Sequence, residues 1–336
     1  MEADVSVTVV THNRPAMLDE LIHAELAQTV QPREIVVVDN GSDSQTPQVV
    51  ARYGGRVRYK RVSGMPRDLS RNLSIELATS CWVSPIDDDD VHDKSFCEAA
   101  LEAMEDHRVT MIGCDYRGFD ESGPFVRTRF QQFPKGYWDG FPKPDPGSDW
   151  SFVDRFPMDR LVKRNPFEPG QMIVRKDLLM QIGAYDPEFT LPIGVQFELN
   201  SRLLSSARLA IIWRPLLHYR RHAGNVTARE WRNRYNKLKT FEYIRDKDAH
   251  GSADLSRALE QDIPRRRAAL FDQAIAFKEF SFLPELAAAL DQQQANLWRR
   301  SAMILTKLPV PAANLASAVI RKGLRVSRFR ETLDYV

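Results

Sequence analysis

Two short apolar runs joined by one helical segment constrain the fold of this chain more than any other feature of its sequence. Residues 5–10 and 34–38 are rich in β-branched side chains and short, as expected of buried strands. Leucine and isoleucine side chains recur at helical spacing between them, and Asn13 followed by Pro15 predicts the start of that helix, with Asn13 as its N-cap. A strand, a helix and a strand within the first forty residues predict a βαβ unit with parallel strands, and therefore an α/β fold.

Polar side chains gather where the predicted strands end. Thr11–Arg14 follow the first strand and Asp39–Asp43 follow the second. Ligands of parallel sheets bind beyond the carboxyl ends of the strands. A helix predicted over 67–79 carries Arg71, and a strand predicted over 82–86 leads into a run of aspartates. We therefore expect all of these polar side chains on one rim of the sheet.

Four consecutive carboxylates, Asp87–Asp90, follow the last of these strands. Two unit charges about 4 Å apart repel by about 1 kcal/mol even in water, so the run needs solvent, a basic partner or a hard divalent cation. In an extended segment, Asp87 and Asp89 would face one way and the other two the opposite way. Mg²⁺ takes one or two protein carboxylates and completes its shell with water and phosphate oxygens. By itself the run fits such a cation site and, equally, a solvated acidic turn before a helix that begins near 93–95.

Composition and charge bound the class of protein. The 336-residue chain is long enough for one large domain with an appendage, and its net charge of +2 argues against nucleic-acid binding. Its three cysteines form no CxxC pair, which is typical of a reducing compartment and of a protein without structural zinc. The amino terminus has no signal-peptide pattern and no run of eighteen apolar residues occurs, so we expect a cytoplasmic protein.

Four segments of the chain resemble, in their order and spacing, successive motifs of the family 2 glycosyltransferases of GT-A fold. They are residues 7–14, 34–43, 71–72 and 86–90. The resemblance extends over roughly residues 4–227. It implies the GT-A (nucleotide-diphospho-sugar transferase) fold, with a mostly parallel sheet flanked by helices. The lack of a GxGxxG or GxxxxGK[ST] loop agrees with it, because this family holds phosphates with a metal rather than with a glycine-rich loop.

The resemblance also implies an activity and a set of site residues. The activity is hexosyl transfer from a nucleoside-diphosphate sugar, for which we favour a UDP-sugar, with a Mg²⁺ or Mn²⁺ cofactor and inversion at the anomeric carbon. The acceptor that we expect is a growing glycan or a lipid-linked saccharide. The implied metal ligands are Asp89 and His222. The residues implied in nucleotide-sugar binding are Thr11, Asn13, Arg14, Asp39, Arg71, Asp87 and Asp88.

Residues 217–227 resemble the segment that closes the catalytic domain in this family. Tyr219, Arg220 and His222 stand in its tyrosine–arginine–x–histidine pattern. His222 or its neighbours would approach the metal or the diphosphate as a lid, since a neutral imidazole can ligate a metal and an arginine suits phosphate. The alternative is a surface strand with ordinary polar residues.

The position of the catalytic base departs from the family pattern. A sugar hydroxyl has a pKa far above neutrality and needs a base to take its proton in the transition state. In the family this base is the Asp of a Glu-Asp pair six residues before a helical arginine, and counting back from Arg202 places Gln196 there. Three readings stay open: Glu198 serves, although it lies about 200° around the helix from Gln196; Asp186 or another carboxylate serves; or the protein binds nucleotide sugars with weak or no transferase activity. For Glu198 we favour a structural role.

Residues 115–165 are crowded with aromatic side chains and are longer than an ordinary connection. They predict either a platform for an acceptor sugar or the packing of a small subdomain, and we favour packing. After them, 165–175 and 182–186 resemble the family's strand beneath the acceptor and the helix exit that leads to the base.

From residue 228 the pattern turns helical, so we divide the chain into a glycosyltransferase domain, 1–227, and a helical region, 228–336. The tail at 298–330 mixes apolar and basic residues. Such a segment either lies on an anionic membrane surface, which would bring the protein to the inner face of the membrane, or packs as an ordinary helix. The predicted helices are 231–244, 255–277 and 283–297.

Overall fold

The computed structural model describes most of the chain. The described residues are 2–191, 193–222, 230–247, 251–288, 290 and 302–307. They fall into two compact units. The first comprises the described residues of Met1–Pro157, Asn165–Thr190 and Val195–Asn225, and the second those of Met158–Arg164, Leu191–Gly194 and Val226–Val336. The division of the chain at residue 227 stays a prediction.

The first unit is built on a single sheet. In the described part of the chain the strands are β1 (Glu2–Thr11), β2 (Gln31–Asp39), β3 (Val57–Arg61), β4 (Trp82–Asp87), β5 (Val91–His92), β6 (Met111–Asp120), β7 (Gly123–Pro124), β8 (Trp150–Val153), β9 (Met172–Arg175) and β10 (Leu209–Arg220). The helices are α1 (Pro15–Leu26), α2 (Gln45–Ala51), α3 (Arg67–Leu77), α4 (Phe96–Glu105), α5 (Met158–Lys163), α6 (Lys176–Gln181), α7 (Val195–Ser206), α8 (Glu230–Asp246), α9 (Ala253–Ala276) and α10 (Leu283–Ala288). Of these, α5 and α8 to α10 belong to the second unit.

The strand order is β3-β2-β1-β4-β9-β6-β10-β5, with β7 paired to β6 and β8 to β10. β1 runs parallel to both β2 and β4, so the predicted βαβ unit is confirmed. β10 also runs parallel to β6. β9 is antiparallel to β4 and β6, so the turn that precedes β9 lies at the same edge of the sheet as the carboxyl ends of those two strands. The expected α/β fold with a mostly parallel sheet flanked by helices is confirmed.

The core of the first unit explains the two apolar runs of the sequence. Val5, Val7 and Val9 of β1 are fully buried, and so are Leu18 and Leu21 on the inner face of α1. Strands covered on both faces read as continuous apolar runs because neither face meets water. Full burial of each such side chain contributes about 1.5–3 kcal/mol relative to exposure, so these runs fix where the strands lie.

Two local predictions were wrong. Asn13 is not the N-cap of α1: Arg14 occupies that position, and Asn13 has φ 55°, in the left-handed region that asparagine tolerates. The alternation predicted along the aspartates also fails. β4 ends at Asp87, and the amide of Asp90 donates to the Asp87 carbonyl at 3.2 Å, which closes a turn. The four carboxylates therefore leave the strand around a turn, where alternate residues no longer share a face.

Aromatic packing dominates the segment after β6. Phe130, Phe133 and Tyr137 are buried. Trp138 stacks on Phe133 with centroids 5.4 Å apart and meets Trp213 of β10 edge-on at 5.2 Å. Aromatic pairs at such separations contribute about 0.5–1.5 kcal/mol beyond the area they bury. This arrangement supports packing over an exposed sugar platform.

The second unit is helical in its described residues. α9 contains Pro264 within its length, and Arg266 on the same helix donates to the carbonyl of Val162 in α5 at 3.0 Å. α10 is described to Ala288, and the rest of the helix predicted over 283–297 lies, apart from residue 290, outside the described residues. The tail at 298–330 is described only over 302–307. Among the described residues, the helices are each too short or too polar to cross a bilayer.

Candidate functional site

The carboxyl ends of three parallel strands meet at one rim. The register places Thr11 of β1 beside Asp39 of β2, and Val10 beside Asp87 of β4. Thr11 and Asp39 are buried, and Asp87 leaves the strand half exposed. The register of the sheet therefore brings Thr11, Asp39 and the aspartates together on this rim, as predicted.

Asn13 joins the two loops that follow β1 and β2. Its Oδ1 accepts hydrogen bonds from the backbone amides of Ser42 at 2.8 Å and Asp43 at 3.1 Å. Gly41 lies against it, because a Cβ on Gly41 would come within 2.5 Å of Asn13 Oδ1. The left-handed backbone at Asn13 thus places its side chain where it fixes the second loop. Asn13 lies on the rim, as predicted, and its side chain holds the loop after β2 through these two hydrogen bonds.

Asp39 is fully buried with both of its carboxylate oxygens engaged. Oδ1 accepts from the Gly41 amide at 2.8 Å, and Oδ2 accepts from the Tyr59 hydroxyl at 2.6 Å. Burial, followed by the bond to Asp39, raises the pKa of the Tyr59 phenol above its usual value. Arg61 also approaches Asp39, with Nε 3.8 Å from Oδ2. Tyr59 and Arg61, on β3, were not identified from the sequence, although the strand that carries them was predicted.

Arg71 is held in an ion pair at the start of the aspartate turn. Its Nη2 donates to Asp87 Oδ1 at 2.5 Å, its Nη1 lies 3.4 Å from Asp68 Oδ1, and its guanidinium carbon is 5.2 Å from the centre of the Tyr185 ring. Burial lowers the pKa of Arg71, but the charge and hydrogen bond of Asp87, together with Tyr185 and Asp68, outweigh it, so the net shift of the pKa is upward. An arginine that is 8% exposed and paired in this way keeps its charge at any ordinary pH.

Arg14 bridges two of the aspartates. One nitrogen, Nη1, donates to Asp88 Oδ1 and to Asp89 Oδ2, both at 2.9 Å. Asp88 also accepts from the Thr11 hydroxyl at 2.7 Å. Burial raises the pKa of Asp88 above its usual value, and the bonds from Thr11 and Arg14 oppose that shift. The guanidinium of Arg14 thus supplies the positive charge that this acidic turn requires.

His222 completes the rim from the end of β10. Its Nε2 lies 3.0 Å from Asp89 Oδ2. Arg220 donates from Nε to the Asp89 carbonyl at 2.9 Å, and its own backbone amide donates to Asp90 Oδ1 at 2.9 Å. Burial raises the pKa of Asp90 well above its usual value. The structure therefore brings the segment after β10 onto the aspartate turn, as the lid reading requires.

The pair of Asp89 and His222 suits a cation that takes only two ligands from the protein. Asp89 Oδ2 and His222 Nε2, which lie 3.0 Å apart in mutual contact, are the two atoms that would hold such a cation. Within the described ranges, no three His, Cys, Asp or Glu side chains are grouped to hold a metal by themselves. Phosphate oxygens and water would have to supply the other ligands, which is the usual arrangement for Mg²⁺.

Glu198 is a structural residue. It is fully buried, and its two oxygens accept from Arg202 Nε at 2.8 Å and Nη2 at 2.6 Å, one turn further along α7. Arg202 Nη1 also donates to the Ile182 carbonyl at 2.6 Å. Burial and pairing on both oxygens agree with the structural role that we favoured for Glu198. Its assignment as the catalytic base stays a prediction.

Gln196 and Asp186 are engaged elsewhere. Gln196 is 6% exposed and donates from Nε2 to Asn200 Oδ1 at 2.9 Å. Asp186 lies in the turn between α6 and α7, where Oδ1 accepts from the Glu188 amide at 2.9 Å. An amide has no proton affinity suited to general-base catalysis, so Gln196 does not replace the carboxylate of the family pattern.

One carboxylate at this rim was missed at the sequence level. Glu168 is half-buried in the turn before β9, and its Oε1 accepts from Asn165 Nδ2 at 3.3 Å. Burial, then the charges of Asp90 and Glu168, raise the pKa of the Tyr219 phenol. Tyr219 stacks on Tyr116 with centroids 5.0 Å apart. The sequence Phe-Glu-Pro-Gly at 167–170 predicts a turn. It does not predict the groups that surround Glu168 at the rim, because they come from elements distant in sequence.

Sequence comparison identifies the family of this domain. Residues 6–169 match the family described as Glycosyl transferase family 2. An uncharacterized glycosyltransferase of Rickettsia felis is 26% identical over 40% of this chain and 23% of its own length. The hyaluronan synthase of Pasteurella multocida is 26% identical over 59% of this chain and 22% of its length. The validoxylamine A glucosyltransferase of Streptomyces hygroscopicus subsp. limoneus is 30% identical over 39% of this chain and 31% of its own length. The chain thus spans less than a third of the length of these curated relatives.

Solved structures agree in fold. Staphylococcus aureus TarS 1–349 in complex with UDP-GlcNAc superposes with a TM-score of 0.57 at 16% identity, covering 98% of this chain and 89% of that one. The mannosyltransferase PcManGT of Pyrobaculum calidifontis, in complex with GDP-Man and Mn²⁺, superposes with a TM-score of 0.51 at 17% identity. The superposition covers 94% of this chain and 84% of that one. At these identities the likeness concerns the fold, and the expected GT-A fold is confirmed.

Proposed function

Because residues 6–169 form a glycosyltransferase family 2 domain, we propose that this protein transfers a sugar from a nucleoside-diphosphate sugar to an acceptor hydroxyl. The observation that carries the proposal is the contact of His222 with Asp89 at 3.0 Å, on the rim where the parallel strands end. Two segments 133 residues apart meet there, beside the Arg14 guanidinium, in an arrangement suited to an anionic diphosphate.

The donor would lie along the rim. The nucleoside would sit over the ends of β1 and β2, near Thr11, Asn13 and Asp39, and the diphosphate would extend toward the aspartate turn. Arg14 and Arg220 supply positive charge at that end, and arginine suits phosphate because its donors match two oxygens at once. A UDP-sugar is the donor we favour, and the UDP-GlcNAc complex of a protein with the same fold supports it. A GDP-Man complex of another such protein makes GDP the first alternative to test.

A divalent cation, Mg²⁺ or Mn²⁺, would be held by Asp89 and His222. Bound there, it would neutralise charge on the departing diphosphate. The residues of this chain do the remaining work: Arg71 holds Asp87 at the start of the turn, and Thr11 and Arg14 hold Asp88. The Mn²⁺ complex of a structural neighbour supports a divalent cation of this kind.

The reaction that we propose is a single displacement with inversion at the anomeric carbon. The acceptor would be a growing glycan or a lipid-linked saccharide. A second function is favoured by one observation, the amide of Gln196 at the position of the family's base. On that reading the protein binds nucleotide sugars with weak or no transferase activity. A product assay separates the two readings, because only the transferase forms a glycosylated product from donor and acceptor.

A thermal-shift panel tests the donor site. UDP, GDP, dTDP and CDP are each added with and without Mn²⁺ to the wild-type chain and to Asp89→Asn. At one hundred times the dissociation constant a ligand stabilises the folded state by about 2.7 kcal/mol, which corresponds to a shift of roughly 5–11 °C for a unit of this size. We expect a Mn²⁺-dependent shift with one diphosphate in the wild type and none in Asp89→Asn.

The matched control is Asp106→Asn, whose carboxylate pairs with Arg108 two residues along the chain. It should show the same shifts as the wild type. Titration calorimetry of the chosen diphosphate with Mn²⁺ then measures the loss in Asp89→Asn directly. Unchanged metal-dependent binding in that variant contradicts the assignment of Asp89, and no shift with any diphosphate contradicts the proposed donor site.

A further inference from the structure

We propose that Arg129 and Arg221 form an anion-binding subsite for the acceptor, which would therefore be a saccharide that carries a phosphate group. The inference rests on the proposed function, because an acceptor subsite has a meaning only if a sugar is transferred. It adds the chemistry that the acceptor has to offer. Three features carry it: two arginines without a carboxylate partner, two tyrosine hydroxyls without a hydrogen bond, and the distribution of charge around them.

β10 presents different side chains on the two faces of the sheet. Arg220 lies on the side of the aspartate turn, where its Nε donates to the Asp89 carbonyl at 2.9 Å. Side chains alternate along a strand, so Tyr219 and Arg221 face the opposite way. There Tyr219 stacks on Tyr116 of β6 with centroids 5.0 Å apart. We place the acceptor on this second face, beside the donor rim.

Arg129 reaches the same face from the segment that follows β7. Its backbone amide donates to the Tyr116 carbonyl at 2.8 Å, and the next amide, of Phe130, donates to the buried Asp115 at 2.9 Å. The guanidinium carbon of Arg129 lies over two aromatic rings, 5.8 Å from the centre of Tyr116 and 5.1 Å from that of Phe133. The faces of these rings hold the cation in place and leave its charge without a counter-ion.

Arg129 and Arg221 have no carboxylate within ion-pair distance among the residues that the structure describes. The Nε of Arg129 is enclosed and has no hydrogen-bond partner there. A partly buried cation normally has a partner, and Arg14 and Arg71 on the donor side of the rim are both paired with aspartates. The guanidinium of Arg129 therefore fits an anion that comes from outside the chain.

Arg221 supplies a second positive charge. Its guanidinium carbon lies 5.3 Å from the centre of the Phe125 ring, and that ring packs against Gly118 of β6, where a Cβ would come within 2.7 Å of it. Hydrogen bonds from Ser122 and, more weakly, the charge of Arg221 lower the pKa of Asp120, whose Oδ1 accepts from the Ser122 amide at 2.8 Å. Arg221 thus acts on that carboxylate only from beyond ion-pair distance and stays exposed to a ligand.

The two tyrosines mark a cationic and an acidic end of the subsite. Burial raises the pKa of the Tyr116 phenol, and the strongest charge acting on it is that of Arg129, which opposes the rise. Burial also raises the pKa of the Tyr219 phenol, and the strongest charges acting there are those of Asp90 and Glu168, which add to the rise. A phosphate is attracted to the first end and repelled from the second. The acceptor would therefore lie with its phosphate at Arg129 and a hydroxyl toward the aspartate turn.

The hydroxyls of both tyrosines are open to a ligand. In the described part of the chain, neither the Tyr116 nor the Tyr219 hydroxyl makes a hydrogen bond, and neither is enclosed. Both side chains are half-buried, and each presents an apolar ring with a polar tip. A sugar has apolar faces and hydroxyls at its edge, so this pair fits a saccharide joined to the phosphate better than it fits inorganic phosphate alone.

A phosphate next to a sugar occurs in two kinds of acceptor. One is a glycan that contains phosphate esters, and the other is a saccharide linked to a lipid through a diphosphate. Such a group carries up to about two negative charges near pH 7, and each guanidinium presents paired donors to its oxygens. The phosphate only binds, and no bond to it is made or broken during transfer. The shared chemistry is what the two arginines recognise, and the probes below distinguish the sources.

The test is titration calorimetry with four probes at constant ionic strength. Glucose 6-phosphate carries both a sugar and a phosphate, glucose and inorganic phosphate each carry one of them, and farnesyl diphosphate represents the lipid-linked source. Each titration is repeated with UDP and Mn²⁺ present, which compete with a probe bound in the donor site. The variants are Arg129→Gln, Arg129→Lys, Arg221→Gln and Arg14→Met. The matched control, Arg33→Gln, removes the same charge near the start of β2, at the opposite edge of the sheet.

We expect Arg129→Gln and Arg221→Gln each to weaken binding of glucose 6-phosphate by about ten- to one-hundredfold, the usual loss for a charge-assisted hydrogen bond. Arg129→Lys keeps the charge and should retain part of the affinity, which also guards against a misfolded glutamine variant. Arg33→Gln and Arg14→Met should match the wild type, added NaCl should weaken binding, and glucose should bind far more weakly than its phosphate. Tighter binding of farnesyl diphosphate than of glucose 6-phosphate, lost in the same variants, indicates the lipid-linked source, and the reverse order indicates a phosphate within a glycan.

Three results overturn the subsite: no binding of any phosphate probe, binding that is unchanged in both glutamine variants, or binding that is displaced by UDP and lost in Arg14→Met. The last result would place the phosphate in the donor site. None of them affects the shifts produced by nucleoside diphosphates. A wild-type chain without such a shift contradicts the proposed function and removes the basis for an acceptor subsite. The two failures are therefore read from different ligands.

Discussion

Removing the charge of Glu198 should destabilise the first unit strongly, whatever its effect on catalysis. Glu198→Gln keeps the size of the side chain but leaves the Arg202 guanidinium, 9% exposed, without its anionic partner. Breaking one side of a buried pair costs about 3–5 kcal/mol, because the remaining charge stays out of water. An arginine cannot escape this cost by losing its proton. For a unit of this size the loss corresponds to a fall of roughly 6–20 °C in the thermal midpoint.

Arg202→Met should behave differently with pH. It leaves the buried carboxyl of Glu198, which can take up a proton and become neutral. At pH 7 that protonation costs about 4 kcal/mol for a group with an ordinary pKa of about 4.3, and the cost falls by about 1.4 kcal/mol for each unit of lower pH. The deficit of Arg202→Met should therefore shrink on going from pH 7 to pH 5, whereas that of Glu198→Gln should not. Replacing both residues, Glu198→Leu with Arg202→Met, should recover most of the loss, since apolar side chains suit a buried site.

The assay is thermal unfolding followed by near-ultraviolet circular dichroism at pH 5 and pH 7, alongside UDP release. Glu198→Gln with an unchanged midpoint and no activity would show that Glu198 acts in catalysis and that its burial has been misread. A midpoint lowered by the expected amount, with activity retained at temperatures well below it, supports the structural role.

Three further predictions concern other sites. Burial raises the pKa of Asp115, so the folded state holds the proton of this carboxyl more tightly than the unfolded chain does. The free energy of unfolding therefore falls as the pH rises above the ordinary pKa of 3.8, and Asp115→Asn should remove that fall. Hydrogen bonds from a neighbouring arginine lower the pKa of Asp106 to about 2, so Asp106 stabilises the fold above pH 3.8 and this stabilisation is lost as the pH falls toward 2. Asp106→Asn should remove that loss of stability at low pH. Thermal midpoints between pH 2 and pH 7 measure both pH dependences, and equal slopes in the two aspartate variants would contradict the reasoning. Gly113→Ala would place a methyl group 2.4 Å from the Phe167 ring and should lower stability by about 1–3 kcal/mol in urea unfolding, whereas Gly55→Ala meets open space and should have little effect.

The sequence by itself determined that the first two strands are parallel and that polar side chains follow the ends of the strands at the rim. The apolar runs at 5–10 and 34–38 can be buried only as parallel strands around α1, so the ends of β1 and β2 had to lie side by side. The aspartate run after β4 followed from the same pattern. These features depend on residues within about forty positions of one another, where spacing is informative.

The detailed roles of the rim residues depended on tertiary contacts. Asn13 was predicted to cap its own helix and instead holds the loop after β2, because its left-handed backbone turns the side chain toward Ser42. Arg14 was assigned to the nucleotide sugar from the family resemblance, and the fold places it between Asp88 and Asp89. Partners that are distant in sequence leave no periodic signal, so no spacing argument could have found them.

The question of the base shows the same division most clearly. The sequence showed that the carboxylate of the family pattern is missing at Gln196, since that follows from counting along one helix. Only the tertiary structure brings Gln196, Asn200, Asn165 and Glu168 into one hydrogen-bond chain. The physical reason is that the sequence gives the type of each side chain, whereas its hydrogen-bond partners depend on which strands and turns pack together around the core.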